Sequence, residues 1–158
     1  MSGNKISLTK EQVTLIEELA QVNETFGSQP AMSKILGLLV VSDETELTFD
    51  QIKDTLALSK SAVSQALSQL LMAKKISYKT RIGDRKRYFH VRVADWDTQV
   101  LEQFNGILSL TAVYKKVLQV RPDSTQEFNA NLKRMTEFLS MLHNQVIATY
   151  QKYQEENK

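Results

Sequence analysis

Between Ser59 and Val93 the chain changes period once, and that change limits the folds open to it. SKSAVSQALSQLLMAKK repeats its apolar residues every three or four positions, which puts Ala62, Val63, Ala66, Leu67, Leu70 and Leu71 on one helical face. ISYKTRIGDRKRYFHVRV then alternates residue by residue, as two strands do, around a Gly83-Asp84-Arg85-Lys86 tip. Ile76, Tyr78, Thr80 and Ile82 are expected on one strand face, with Ser77, Lys79 and Arg81 on the other. After the tip, Tyr88 and His90 alternate with Phe89, Val91 and Val93. Gly83 can supply the positive φ of a tight turn, and Asp84 can both make the turn and orient a neighbouring guanidinium.

Charge is concentrated on the same stretch. From Lys53 to Arg92 there are ten basic residues against Asp54 and Asp84, a local +8, while the rest of the chain is −6 and the whole only +2. Such a basic stripe points to a polyphosphate partner. The helix opens on Ser59, an N-cap residue. Opposite its apolar face lie Ser61, Gln65, Ser68 and Met72, flanked by Lys60 and Ser64. Ser and Gln side chains can donate and accept at base edges, and Gln can pair with adenine through two bonds. A Ser/Gln-rich face is, taken alone, an ordinary solvated one. The short helix before it, the tight Ala57-Leu58 junction and the basic hairpin after it favour a DNA-reading role. The three form a winged helix-turn-helix, with Arg85, Lys86 and Arg87 displayed at the tip for phosphate or minor-groove contact. A charged tip kept only for solubility is the plainer alternative.

Around this unit the chain reads as mostly helix, since 5 glycines and 2 prolines leave little punctuation in 158 residues. Thr9 and Gln12 are spaced as a capping box for a helix to about Phe26. Pro30 precedes an almost wholly apolar helix over about 31–41. SDETE is read as a polar connection. Thr48 and Gln51 then cap a short helix with Phe49, Ile52 and Leu56 facing inward. A long helix starts at Asp95 or Asp97 and runs to about Val120, with Trp96, Val100, Leu101, Phe104, Ile107, Leu108, Tyr114 and Val117 along one side. Arg121-Pro122-Asp123 breaks it. In the last helix Phe128, Leu132, Met135, Leu139, Leu142 and Val146 alternate four and three apart, with Tyr153 in phase, a heptad seam for packing lengthwise against another helix. That partner is either the preceding helix or a second copy of the chain.

The expected fold is therefore mainly α with a small β-hairpin wing: residues 1–26 an N-terminal helix contributing to dimerisation, 27–94 the winged DNA-binding domain, 95–158 a helical dimerisation region. Apolar content of 42% and charged content of 24% argue against global disorder. With no cysteine, disulfides and thiolate metal sites are excluded. The N-terminus lacks a signal-peptide core and no apolar run reaches the roughly 18 residues of a membrane span, so a cytoplasmic protein is expected. His90 and His143, the only histidines, sit on separate elements without motif partners, and no phosphate loop or nucleophile elbow is present. Neither an enzyme, a metal site nor a cofactor is indicated.

TFGSQPAMSKILGLLVV, LTFDQIKDTLALSKSAVSQALSQLLMAKKI and IGDRKRYFHV together resemble the GbsR branch of the MarR-type winged-helix transcriptional regulators. The resemblance covers about residues 25–93, with Ser33-Lys34 and a shorter wing spacing as departures. It implies a homodimer with interlocking terminal helices, acting on a near-palindromic operator as a repressor. It carries recognition-helix roles to Ser59, Lys60, Ser61, Ser64 and Gln65, and wing roles to Asp84 and Arg85. It also suggests a small-molecule effector, a quaternary amine such as choline, held by aromatic faces. Trp96, Phe104 and Tyr114 are the aromatic candidates. The competing classes are a winged helix used for protein–protein contact, disfavoured by the +8 segment, and an RNA-binding winged helix.

Overall fold

A computed structural model of the chain describes residues 4–157 and divides it into two compact units that meet after Val93. The first carries α1 (Lys10–Thr25), α2 (Pro30–Val41), β1 (Leu47–Thr48), α3 (Phe49–Leu56), α4 (Lys60–Met72), β2 (Ile76–Thr80) and β3 (Arg87–Val91). Helix starts follow local chemistry. Thr9 Oγ1 accepts the Gln12 amide at 3.1 Å while Gln12 returns its Oε1 to the Thr9 amide at 2.9 Å, and Thr48 and Gln51 repeat the same reciprocal pair at α3. Pro30 occupies the first turn of α2, where a missing N–H removes no helical bond. Helix α2 is the axis of the core, with Ile35 and Leu38 wholly buried among Ile16, Leu47, Ile52, Val63, Leu70 and Phe89. Burial of each such aliphatic side chain is worth about 1.5–3 kcal/mol. Helix α1 lies close on α2 at Gly37, where an added Cβ would sit 3.0 Å from the Ile16 carbonyl oxygen.

Strands β1, β3 and β2 form one antiparallel sheet in that order, with Leu47 opposite Phe89, Ile76 opposite Val91 and Thr80 opposite Arg87. The third strand, β1, is an addition to the expected two-stranded hairpin: Leu47 buries its side chain while its backbone extends the sheet. Residues paired across an antiparallel ladder share a face. Ile76, Tyr78, Thr80, Arg87, Phe89, Val91 and Leu47 therefore lie on one face, and Ser77, Lys79, Tyr88, His90 and Thr48 on the other. Ile82 does not belong to a strand. Pairing stops at Thr80 and Arg87, and Ile82 stands fully exposed in the six-residue tip. Helix α4 also stops before the two lysines expected to end it, because Lys74 takes a φ of +54° and turns the chain into β2.

The second unit is an antiparallel hairpin of α5 (Trp96–Val120) and α6 (Gln126–Glu156), joined through a 3₁₀ turn (Asp123–Thr125). At the bend Arg121 donates to Asn129 Oδ1 at 2.8 Å and Thr125 Oγ1 at 3.1 Å, and its guanidinium lies 4.0 Å over the Phe128 ring. The heptad seam of α6 divides. Leu132, Leu139 and Val146 are half-buried, whereas Phe128, Met135, Leu142 and Tyr153 are exposed. Positions four and three apart are the two edges of one broad stripe, and a single neighbouring helix covers only one of them. The stripe expected on α5 divides likewise, with Leu101, Phe104, Ile107, Tyr114 and Val117 half-buried and Trp96, Val100 and Leu108 exposed. Thr111, Thr136 and His143 are the buried residues of the pair. Both threonine hydroxyls donate to the carbonyl four residues earlier, and His143 Nε2 lies 3.3 Å from Asn105 Oδ1. Among the described residues no helix is long and apolar enough to cross a membrane.

Candidate nucleic-acid interface

Helix α3 ends on Ala57, which adopts a left-handed conformation (φ 51°, ψ 39°) and so swings the chain sharply into α4. Ser59 then caps α4, its Oγ accepting the Ala62 amide at 3.2 Å and lying 3.1 Å from Ser61 Oγ. Val63, Ala66, Leu67 and Leu70 are buried, which fixes the rotation of the helix. Ser59, Lys60, Ser61, Ser64, Gln65 and Ser68 are left exposed on the opposite side, as the spacing predicts. Ser59 is the exception in kind, since its hydroxyl is committed to the cap. Met72, 83% exposed, extends the same face toward the helix end.

The wing tip begins with a turn closed by Asp84 N–H donating to the Arg81 carbonyl at 3.1 Å, with Gly83 at φ +82° in the position that requires it. Asp84 accepts from Tyr88 Oη at 2.6 Å and from the Lys86 amide at 2.9 Å. These two bonds hold its carboxyl below the ordinary aspartate range, the phenol contributing most, and the same contact raises the Tyr88 hydroxyl. The expected hold of Asp84 on a guanidinium is thus indirect: Arg81 stacks 3.8 Å over the Tyr88 ring that Asp84 anchors. On the other face Arg87 lies 4.7 Å over Tyr78.

A concavity of about 320 Å³ joins the two elements. Ser64 and Ser68 of α4 line it together with Arg85, Lys86 and Arg87 of the tip and Asp50 of α3, with Leu67, Leu71 and Phe89 beneath. Small hydroxyls on a helix and three cations on a hairpin thereby face one cleft. Lys60, Ser61 and Gln65 lie on the same exposed side of α4 but outside the cleft lining. Not every cation of the basic stripe is available there. Lys53 pairs with Asp54 at 3.2 Å and Asp50 at 3.5 Å. Glu46, just before β1, takes Lys79 at 2.6 Å and Arg81 at 3.3 Å. Glu46, Arg81 and Tyr88 were not singled out by sequence reasoning. Their only signal was the period-2 position of Lys79 and Arg81, because the strand that brings Glu46 alongside is two residues long.

The aromatic candidates on α5 separate. Trp96 lines an apolar hollow of about 290 Å³ between the ends of α5 and α6, with Val100, Leu101, Val146, Tyr150 and Tyr153. Its indole meets Tyr153 edge-on at 5.8 Å. Asp97 borders the hollow and is held by Tyr150 Oη at 3.3 Å and Gln154 Nε2 at 2.9 Å. Burial, then the Asp97 charge, raises the Tyr150 hydroxyl. Phe104 and Tyr114 do not line this hollow. Tyr114 is eighteen residues along the same helix, roughly 27 Å from Trp96 at 1.5 Å per residue. Among the described residues no group of three or more His, Asp or Glu is placed to hold a metal ion.

A scan against protein-family models and a search of curated proteins both give no match. Solved structures do match. One described as a transcriptional regulator is 20% identical, with 92% of this chain and 99% of that one aligned at a TM-score of 0.74. The MepR–DNA complex of S. aureus aligns at 21% identity over 84% of this chain and 99% of that one, with a TM-score of only 0.42. A MarR protein from Peptoclostridium difficile aligns at 13% identity over 91% and 97%, with a TM-score of 0.40. At these identities the first alignment speaks for architecture: the chain shares the fold of that transcriptional regulator, a mainly helical protein with a small winged sheet.

Proposed function

We propose that this chain is a sequence-specific DNA-binding transcriptional regulator, a homodimeric repressor of the GbsR-like MarR type acting on a near-palindromic operator. The observation that carries the reading is the cleft where Ser64 and Ser68 of α4 meet Arg85, Lys86 and Arg87 of the wing. A helix with short polar side chains suits the major groove, and cations on a rigid turn suit phosphate or a narrow minor groove. Dimerisation is supported by apolar side chains exposed on the hairpin, chiefly Met135, Phe138, Met141 and Leu142 on α6. Residues 95–158 would supply that surface with help from the helix in 1–26, leaving 27–94 to bind DNA. A dimer seated on an operator represses by occupying it. The compartment is the bacterial or archaeal cytoplasm, where the DNA is.

The test is selection of bound duplexes from a random pool, with structured and single-stranded RNA as competitors. Recovery of a two-fold symmetric duplex motif is expected. Preference for RNA would support the RNA-binding reading, and no binding to any nucleic acid at low salt would support a protein-contact module. An effector is a second element of the proposal, favoured by the hollow at Trp96, where Tyr150 and Tyr153 add ring faces and Asp97 adds a carboxylate. That set suits an organic cation such as choline better than Trp96, Phe104 and Tyr114 do. Trp96 is the only tryptophan, so choline should shift the intrinsic fluorescence and the DNA affinity together. Unchanged fluorescence and affinity at saturating choline would remove choline and leave the regulator reading standing.

A further inference from the structure

The wing carries five cations between Lys79 and Arg87, yet two of them are turned onto a single carboxylate. Glu46 Oε1 takes the Lys79 ammonium at 2.6 Å and Oε2 takes the Arg81 guanidinium at 3.3 Å, one oxygen to each. The Glu46 side chain is 19% exposed, while Lys79 and Arg81 are 64% and 60% exposed. The acid is half-buried, and the two cations remain exposed to solvent. Arg81 is further restrained by stacking on Tyr88. Lys79 shares its sheet face with Tyr88, opposite the face that carries Arg87. Lys79 stands one residue from the end of β2, and Arg81 opens the tip that carries Arg85 and Lys86.

We propose that Glu46 is a charge restraint on the wing: by holding Lys79 and Arg81 it withholds two phosphate contacts and so lowers both the affinity for DNA of every sequence and its dependence on salt. The inference rests on the DNA-binding reading above. Phosphate contacts raise affinity for every duplex alike and carry no sequence information. A wing without that acid would bind operator and random duplex more tightly by a similar factor, leaving the base-reading face of α4 to set the ratio between them. With Glu46 in place the wing cations outside that pair of ion bridges are Arg85, Lys86 and Arg87, on the cleft that α4 also lines.

The opposite role, a purely structural one, makes the opposite forecast. If Glu46 served only to hold the wing in shape, its loss would loosen the tip and reduce phosphate contact. The sign of the change in salt dependence therefore separates the two.

The experiment is fluorescence anisotropy of the full-length protein with its selected operator and with a random duplex, across a salt series, for wild type, Glu46→Gln, Lys79→Ala and the double variant. Glutamine keeps the length and one hydrogen-bond acceptor of the acid. Glu46→Gln should bind both duplexes several-fold more tightly, by a similar factor, and steepen the salt slope by about one to two. Lys79→Ala should change the slope little in wild type but by about one in the Glu46→Gln background, a coupling that a double-variant cycle reads directly. Circular dichroism melts of each variant confirm that the fold is retained. A shallower slope and weaker random binding for Glu46→Gln, or no coupling to Lys79, would overturn the restraint. Failure of the wild type itself to bind either duplex at low salt would instead overturn the DNA-binding reading.

Discussion

Asp84 was expected at the wing tip from its place after Gly83, but its partners were not. In the folded chain it accepts from the Tyr88 phenol and the Lys86 amide, and both bonds favour the ionised form. Its folded-state pKa is lowered, so its contribution to stability is present above the ordinary aspartate value and fades as pH falls through the depressed one. An NMR titration of the Asp84 carboxyl should show a midpoint below the ordinary range. Tyr88→Phe should return it part of the way, because the Lys86 amide remains. An unshifted midpoint in the wild type would mean that the phenol–carboxylate bond does not form in solution. Trp96, Phe104 and Tyr114 illustrate the limit of residue-type reasoning. All three are aromatics on one helix, but only Trp96 borders the Asp97 hollow, and the two tyrosines that join it come from α6, beyond the reach of any local pattern.

At the scale of elements, helix starts were legible because their signals are local. Both capping boxes and the Ser59 cap appear where Thr9, Thr48 and Ser59 announce them. Strand β1 was not legible: a two-residue strand has no period, and it exists only because β3 offers it a ladder. Ile82 was misplaced for a related reason, since alternation continues past Thr80 although cross-strand pairing has ended. The junction between α3 and α4 offers a sharp test of how local strain shapes the unit. Ala57 sits at φ 51°, a conformation that costs an L-residue roughly 1–2 kcal/mol and costs glycine little. Ala57→Gly should therefore stabilise the protein by about 0.5–1 kcal/mol after glycine's own entropic penalty, read as a higher midpoint in a denaturant melt. Ser59→Ala should do the reverse, by about 1 kcal/mol. If Ala57→Gly destabilises, the left-handed turn is not the one adopted in solution.

For the molecule as a whole, the hairpin of α5 and α6 and its uncovered apolar edge were visible in the heptad spacing only as an ambiguity. The periodicity fits both an intrachain partner and a second copy, and the hairpin uses half of it. The exposed half sets the choice of probe. Met135→Asp places a charge on the exposed edge and should dissociate a dimer while leaving the helical signal intact, whereas Leu139, half-buried against α5, would disturb both. Sedimentation of wild type and Met135→Asp at micromolar concentration reads the outcome, and a monomeric wild type would remove the dimeric architecture. The central claim is that α4 reads bases while the wing grips backbone, and one measurement bears on it most directly: anisotropy with operator and random duplex at several salt concentrations for Gln65→Ala and Arg85→Ala. Arg85→Ala should weaken both duplexes and lower the salt slope by about one. Gln65→Ala should leave the slope nearly unchanged and narrow the gap between the two duplexes by roughly 1–3 kcal/mol if its contact is bidentate. Equal losses on both duplexes for Gln65→Ala, or a change of sequence preference alone for Arg85→Ala, would contradict the division of labour between the two surfaces.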